Sequence, residues 1–321
     1  MNMIFDKVGT DIARAVKLLM TGEVVAIPTE TVYGLATNAL NEQAVKRIYE
    51  IKNRPAVNPL IIHLAEAGQV YQYATNIPDS ARALMKHFWP GPLTFVLPKN
   101  KIVPGIVTAG KDTVAIRVPA HPMTQQLLKR TGLPLAAPSA NPSGYISPTA
   151  AWHVERSLGK SLQYILDGGE CKAGIESTIV GFDRDIPVVY RQGVVTAQDI
   201  YEVTGIVKNY EGQALLAPGM SVSHYSPRTP MIVADNIEEV ASKLNGRRSG
   251  IITYGTYANH INPSDQLLLC YYGDWQLAAR NLYSAMHIMD QKGYDIIIAK
   301  LFPNDGIGNA LNDRLTRAAA R

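Results

Sequence analysis

The chain has few cysteines and no short-spaced pair of them: Cys171 and Cys270 stand alone in 321 residues. That excludes a disulfide scaffold or a zinc ribbon and fits a reducing, cytoplasmic setting. Long apolar runs are missing as well. No stretch approaches the ~18 residues that would span a bilayer. The start, Met1-Asn2-Met3-Ile4-Phe5-Asp6, lacks a charged leader followed by an apolar run, so no signal peptide is expected. No repeat of roughly 20–50 residues and no low-complexity tract appears.

Charge of one sign is scarce too. Lys and Arg number 31 against 27 Asp and Glu, a net +4. Residues 1–210 hold 21 basic and 17 acidic groups, residues 211–228 one of each, and residues 229–321 nine of each. So small an excess excludes a strongly cationic nucleic-acid wrapper. Its confinement to the first two thirds leaves room for a local basic pocket for an anion.

The familiar nucleotide motifs fail on inspection. Gly159-Lys160-Ser161 resembles the end of a phosphate loop, but Val154 occupies the leading glycine position and the preceding segment reads as helix. It is expected to be a surface turn. Gly306-Ile307-Gly308 starts a dinucleotide-like fingerprint, but Leu311 takes the third glycine position, so a tight turn into the last helix is expected. Metal-ligand clusters among the seven histidines and a serine nucleophile elbow are both absent.

What is present is core material. Hydrophobic residues make up 46% of a length that suggests about two domains. Short β-branched runs such as Val24–Ile27, Leu60–Leu64, Leu93–Leu97 and Val114–Val118 alternate with helical patterns at 12–20, 44–51, 80–88 and 123–130. Prolines at strand ends, 15 of 20 lying before residue 211, predict a mixed, twisted sheet. Residues 229–321 alternate strand and helix and predict a small parallel α/β unit. The expected organisation is a first domain over 1–210, a linker over 211–228 and a small α/β domain over 229–321.

Three polar clusters sit at predicted strand or helix ends. Pro28-Thr29-Glu30-Thr31-Val32-Tyr33-Gly34-Leu35 follows a buried strand and reads either as a pocket wall of small donors or as a strand-to-helix turn with capping threonines. Lys52-Asn53-Arg54-Pro55 follows a helix. In an extended segment Lys52 and Arg54 would point the same way and clamp adjacent phosphate oxygens; alternatively they are solvated cations at a helix C-terminus. Ser139 and Asn141, in a proline-bounded loop, share that two-residue spacing and read equally as turn chemistry.

Lys52-x-Arg54 with Ser139-x-Asn141 resembles the signature of the YrdC-like fold. Asn58-Pro59-Leu60-Ile61-Ile62-His63, Trp89-Pro90-Gly91-Pro92-Leu93-Thr94, Ile116-Arg117-Val118-Pro119 and Glu176-Ser177-Thr178-Ile179-Val180 follow in the same order. Ala217-Pro218-Gly219-Met220 and His224-Tyr225-Ser226-Pro227, followed by a small α/β unit, resemble the long, two-domain L-threonylcarbamoyladenylate synthase family. The resemblance implies a YrdC-like twisted mixed sheet plus a Rossmann-like parallel α/β domain. It also implies an adenylyltransferase that makes threonylcarbamoyl-AMP and pyrophosphate from L-threonine, bicarbonate or CO2, and ATP. The product would pass to a tRNA threonylcarbamoyl transferase complex.

By that resemblance, Lys52, Arg54, Asn58, Thr113, Ser139, Ser147, Arg191 and the His224-Tyr225 pair belong to the ATP side. Thr31, His63, Arg117, Ala137 through its backbone and Ser177 belong to the threonine side. Lys52, Arg54, Ser139 and Asn141 form the signature set at the reaction. Magnesium is implied on the ATP phosphates, with no organic cofactor and no protein side chains dedicated to the metal. The linker is implied to cover the pocket. Two positions depart from the family pattern: Ser226 replaces an alanine, and Gln192 replaces a proline beside Arg191. A competing reading is an RNA-binding or ribosome-associated module of the same fold. A second is a carbamoyl-transferring hydrogenase-maturation protein, against which the two isolated cysteines argue.

Overall fold

The structure is a computed structural model and describes residues 7–212, 218–219, 224–244, 246–271 and 273–320. Two sheets organise these residues. The larger has eleven strands in the spatial order Val8–Gly9, Ile165–Leu166, Val25–Ile27, Gly34–Asn38, Leu135–Ala136, Ile61–His63, Thr113–Arg117, Leu93–Pro98, Thr178–Asp183, Ile186–Arg191, Lys208–Asn209. Its pairings are both parallel and antiparallel, so the sheet is mixed, as the strand-end prolines predict. The smaller sheet is wholly parallel, in the order Met231–Ala234, Ile296–Lys300, Ser249–Thr253, Gln266–Leu268.

Local chemistry sets the helices. Glu42–Lys52 starts where the Asn41 side chain accepts from the Ala44 amide and stops at Asn53, whose φ of 49° is left-handed. A short amide side chain tolerates that conformation better than a β-branched one. The helix buries Ala44, Val45, Ile48, Tyr49 and Lys52, one stripe at helical spacing. Trp275–Gln291 starts on Asp274, whose carboxylate accepts from the Leu277 amide. The last helix, Ile307–Ala319, follows Gly306 at φ 50°, which is the tight turn expected there.

One local expectation is corrected. The segment after Val25–Ile27 does not turn into a helix. It loops back into Gly34–Asn38, which pairs antiparallel with Val25–Ile27. Two-residue strands at 8–9, 165–166 and 208–209 are also present and are too short to leave a sequence pattern.

The core crosses from one sheet's layer to the other. Val32, Ile146 and Ile175 pack in one cluster with Tyr225, Leu282, Tyr283, Met286 and Leu311. The two units therefore share buried apolar surface rather than being joined by a tether alone.

Candidate active site

The central strands Ile61–His63 and Thr113–Arg117 run parallel, with His63 level with Arg117 at their C-terminal ends. Beside them, Leu135–Ala136 runs antiparallel to Ile61–His63 and continues into Ala137, Pro138 and Ser139. The loop after Val25–Ile27 brings Thr29 and Thr31 to the same place. These strand ends line a cleft whose lining is completed by Arg191, Pro218, Gly219, His224 and Tyr225. Strand C-terminal ends are where open α/β sheets place ligands.

Lys52 and Arg54 do not form the clamp that an extended segment would make. Lys52 is the last residue of its helix, and left-handed Asn53 turns the chain between the two. Lys52 is 1% exposed, and its Nζ donates to the backbone carbonyls of both Ser139 and Asn141. It thus ties down the Ser-x-Asn turn from beneath the pocket. Burial, and then the charge of Arg54, push its pKa well below the usual lysine value. Arg54 does line the cleft. Its guanidinium is aimed by Nε donating to the Asn58 carbonyl at 3.2 Å and Nη2 to the Pro59 carbonyl at 3.0 Å. Burial lowers its pKa to about 10, so it remains cationic at neutral pH.

Arg117 is buried at the opposite wall. Nη1 donates to Thr31 Oγ1 at 2.9 Å and Nε to the Gly91 carbonyl at 3.1 Å. Nη2 lies 2.6 Å from Glu30 Oε1, but the pair is not aligned as a hydrogen bond. Arg117 is thus ion-paired with Glu30 where it lines the cleft, and its planar guanidinium is the group there that suits a carboxylate. Thr31 Oγ1 in turn lies 2.8 Å from Thr29 Oγ1, which donates to the Val32 carbonyl. His63 is 3% exposed, and burial followed by the Arg117 charge lowers its pKa to about 3. It is a neutral imidazole at pH 7 and serves as a polar contact, not as a cation.

Ser177 and Arg191 form a third wall. Arg191 Nε and Nη2 donate to the Ser177 carbonyl at 3.1 and 2.8 Å, Nη2 reaches Ser177 Oγ at 3.2 Å, and Nη1 donates to the Pro218 carbonyl at 3.1 Å. Ser177 Oγ also lies 2.7 Å from Thr94 Oγ1. Arg191 therefore ties the linker to this wall at Pro218. The linker residues 213–217 and 220–223 lie outside the described residues. Tyr225 is 1% exposed, and among the described residues neither its buried hydroxyl nor His224 Nδ1 has a hydrogen-bond partner. Unpaired buried polar atoms facing a cleft are the groups a ligand would satisfy.

Five sequence candidates do not line the cleft: Lys52, which sits beneath it, and Asn58, Thr113, Ser147 and Asn141. Asn58 acts through its backbone carbonyl, which accepts from Arg54 and from the Tyr49 hydroxyl. Thr113 opens the strand that Arg117 closes, about 13 Å away at an ordinary strand rise. Ser147 is fully buried and donates Oγ–H to Glu176 Oε1 at 2.6 Å. Asn141 is buried, and its Nδ2 donates to the Pro142 and Tyr145 carbonyls. Thr31, His63, Arg117, Ala137, Ser139, Ser177, Arg191, Arg54, His224 and Tyr225 do line it.

Glu176 lines the cleft and was not singled out from sequence. Its carboxylate accepts from Ser147, from the Tyr283 hydroxyl at 2.9 Å and from Arg314 Nε at 3.0 Å. Burial opposes its ionisation, but Arg314 and Arg191 together hold its pKa at about 2. A signal for Arg314 existed: a charged residue between Leu311 and Leu315 on an apolar helix face needs a buried partner.

Residues 17–193 match the family described as telomere recombination, and residues 195–320 match the C-terminal domain of threonylcarbamoyl-AMP synthase. The threonylcarbamoyl-AMP synthases of Pyrococcus abyssi and Bacillus subtilis are each 42% identical to this chain, covering 95% and 96% of it and 93% and 92% of their own lengths. The crystal structure of P. abyssi Sua5 complexed with L-threonine superimposes with a TM-score of 0.89 at 40% identity, over 96% of this chain and 94% of that one.

Proposed function

The chain belongs to the two-domain threonylcarbamoyl-AMP synthase family and is an enzyme of that family; from that premise we propose that it joins L-threonine, CO2 or bicarbonate and ATP into threonylcarbamoyl-AMP. The observation that carries the reading is the convergence of three guanidiniums, Arg54, Arg117 and Arg191, with Thr31, Ser139 and Ser177 in one cleft. The substrates are anions or become anions, and placed cations offset their mutual repulsion.

Arg117 with Thr31 takes the threonine carboxylate, a two-oxygen acceptor that suits a guanidinium. The neutral threonine amine forms an N–C bond to CO2 and loses a proton to solvent, giving a carbamate. A carbamate oxygen then bonds to the α-phosphorus, the bond from that phosphorus to the bridging oxygen breaks, and pyrophosphate leaves. Arg54 and Arg191 face the phosphoryl oxygens on which charge develops. Lys52 holds Ser139 and Asn141 in place from below. Holding carbamate and phosphate in line supplies much of the rate by positioning.

Magnesium belongs to this reading as a component of the nucleotide. The cleft's charged groups are mainly cationic, and its carboxylate Glu176 is already engaged by Ser147, Tyr283 and Arg314. Such a donor set suits a metal that arrives on ATP phosphates rather than one held by the chain. The Pro218–Gly219 and His224–Tyr225 segments cover the cleft and limit water at a labile mixed anhydride. The product would then pass to a tRNA-modifying transferase in the cytoplasm.

Mixing the purified chain with ATP, magnesium, threonine and bicarbonate, then resolving the nucleotides by chromatography with mass detection, tests this. A species with the mass of threonylcarbamoyl-AMP is expected. Its absence, with ATP intact, would overturn the reading.

A further inference from the structure

Most of the small parallel unit lies away from the cleft, yet two of its side chains, Tyr283 and Arg314, reach the wall residue Glu176. Arg314, on the helix Ile307–Ala319, is 0% exposed. Its Nε donates to Glu176 Oε2 at 3.0 Å, its Nη2 to the Gln192 carbonyl at 2.8 Å, and its Nη1 to Asp313 Oδ2 at 2.6 Å. Its guanidinium carbon also lies 5.3 Å from the centre of the Tyr225 ring. One planar group thus contacts three wall segments.

Each segment adjoins a cleft residue. Glu176 precedes Ser177, and Gln192 follows Arg191. The two segments approach so closely that a Cβ at Gly193 would lie 2.5 Å from the Thr178 amide and 2.6 Å from the Glu176 carbonyl. Gln192 stands where the family pattern has proline, so its backbone lacks the fixed φ that proline would impose. The Nη2 bond to the Gln192 carbonyl takes over that restraint. An ion pair that is wholly buried contributes little net stability, because desolvation offsets the attraction. Its fixed fork geometry is better suited to setting direction than to adding strength.

We infer that Arg314 is a positioning residue for the phosphate face of the cleft: by holding Glu176 and the Gln192 carbonyl together, it aims Arg191. This rests on the reading of Arg191 as a nucleotide contact. It gives the small unit a role in the first unit's chemistry, since it delivers the guanidinium that orders the wall. The threonine face leans on it less: Arg117 takes its hydrogen-bond partners from Gly91 and Thr31, and the Ser177 hydroxyl, which Arg191 also reaches, keeps a second partner in Thr94.

The test is steady-state kinetics of full-length Arg314→Lys, which keeps the charge and loses the fork. The KM for ATP should rise about 10-fold or more, while the KM for threonine stays within about 3-fold. Tyr283→Phe removes a different bond between the units to Glu176 and leaves Gln192 held, so its ATP KM should stay within about 3-fold. An unchanged ATP KM in Arg314→Lys would overturn the proposal. So would equal weakening of both substrates in both variants, the mark of a merely loosened interface. Should Arg314→Lys not fold, Asp313→Asn takes away the charge that Nη1 and Arg317 Nε share and leaves the Glu176 and Gln192 bonds in place; a rise in ATP KM of about 3-fold supports the inference, and no change refutes it. Amide hydrogen exchange at residues 176–178 and 192–193 needs no substrate. Faster exchange there in Arg314→Lys, with residues 29–31 and 115–117 unchanged, supports the positioning role even if the wild-type chain forms no adenylate. Identical exchange at 192–193 counts against it.

Discussion

Arg314 and Glu176 meet at 3.0 Å across the boundary between the two units, and both are buried. Removing Glu176 leaves Arg314 with the Asp313 carboxylate as its remaining ionic partner and strips the buried side of the guanidinium, which costs about 3 kcal/mol. Glu176→Ala is therefore expected to lower stability by that order in chemical denaturation. A loss below about 1 kcal/mol would mean the pair is solvated in solution.

The same boundary predicts an acid-sensitive stability. His153 and His287 stack with ring centres 3.9 Å apart, and His287 Nε2 lies 3.2 Å from the Ser147 carbonyl, to which it donates. Burial lowers their pKa values to about 2 and about 4. The unfolded state takes up protons near pH 6.5 and the folded state does not, so stability falls as pH drops below 6.5. Glu176 adds a second loss between its model-compound value of 4.5 and about 2. His287→Gln keeps a donor for Ser147 and removes one titration. Between pH 7 and 5 it should lose about 2 kcal/mol less stability than wild type. Parallel losses would place His287 in solvent.

Lys52 and Arg54 separate in their effects. Lys52→Met leaves the Ser139 and Asn141 carbonyls without their buried donor and should cost about 2 kcal/mol or more, seen as a lower melting midpoint. Arg54→Ala should leave the midpoint nearly unchanged and cut the rate at least ~10-fold, through lost charge stabilisation. Reversed outcomes, a stable Lys52→Met with Arg54→Ala unfolded, would overturn the division of roles.

Gly219 tests the cover. Its φ is 83°, and an added Cβ would lie 2.7 Å from the Tyr225 hydroxyl and 2.9 Å from Arg191 Nη1. Gly219→Ala therefore disturbs two cleft residues through one methyl group. A fall in kcat/KM of about 10-fold with unchanged secondary structure is expected, measured by product formation and circular dichroism. Wild-type kcat/KM would show that the segment does not close over the cleft.

Much of the fold was legible because its signals are local. Ile12–Met20 and Trp275–Gln291 carry helical spacing with clear stops, and Val25–Ile27 ends on a proline. That Thr31, Arg117, Ser139 and Ser177 share a site was implied by the family resemblance that the ordered motifs carry. The small excess of positive charge proved to include Arg54, Arg117 and Arg191 in one cleft. Glu176 and Arg314 are 138 residues apart in sequence, and their pairing is a tertiary fact that neither local pattern states. Lys52 misled because two-residue spacing implies a common direction only in extended chain, and Asn53 takes a left-handed turn.

One cleft is proposed to join threonine, CO2 or bicarbonate and ATP. Pyrophosphate release from ATP, measured with threonine and bicarbonate each omitted in turn, tests it most directly. Release should require both and fall to background when either is absent. Release that proceeds at the full rate without threonine would contradict the claim.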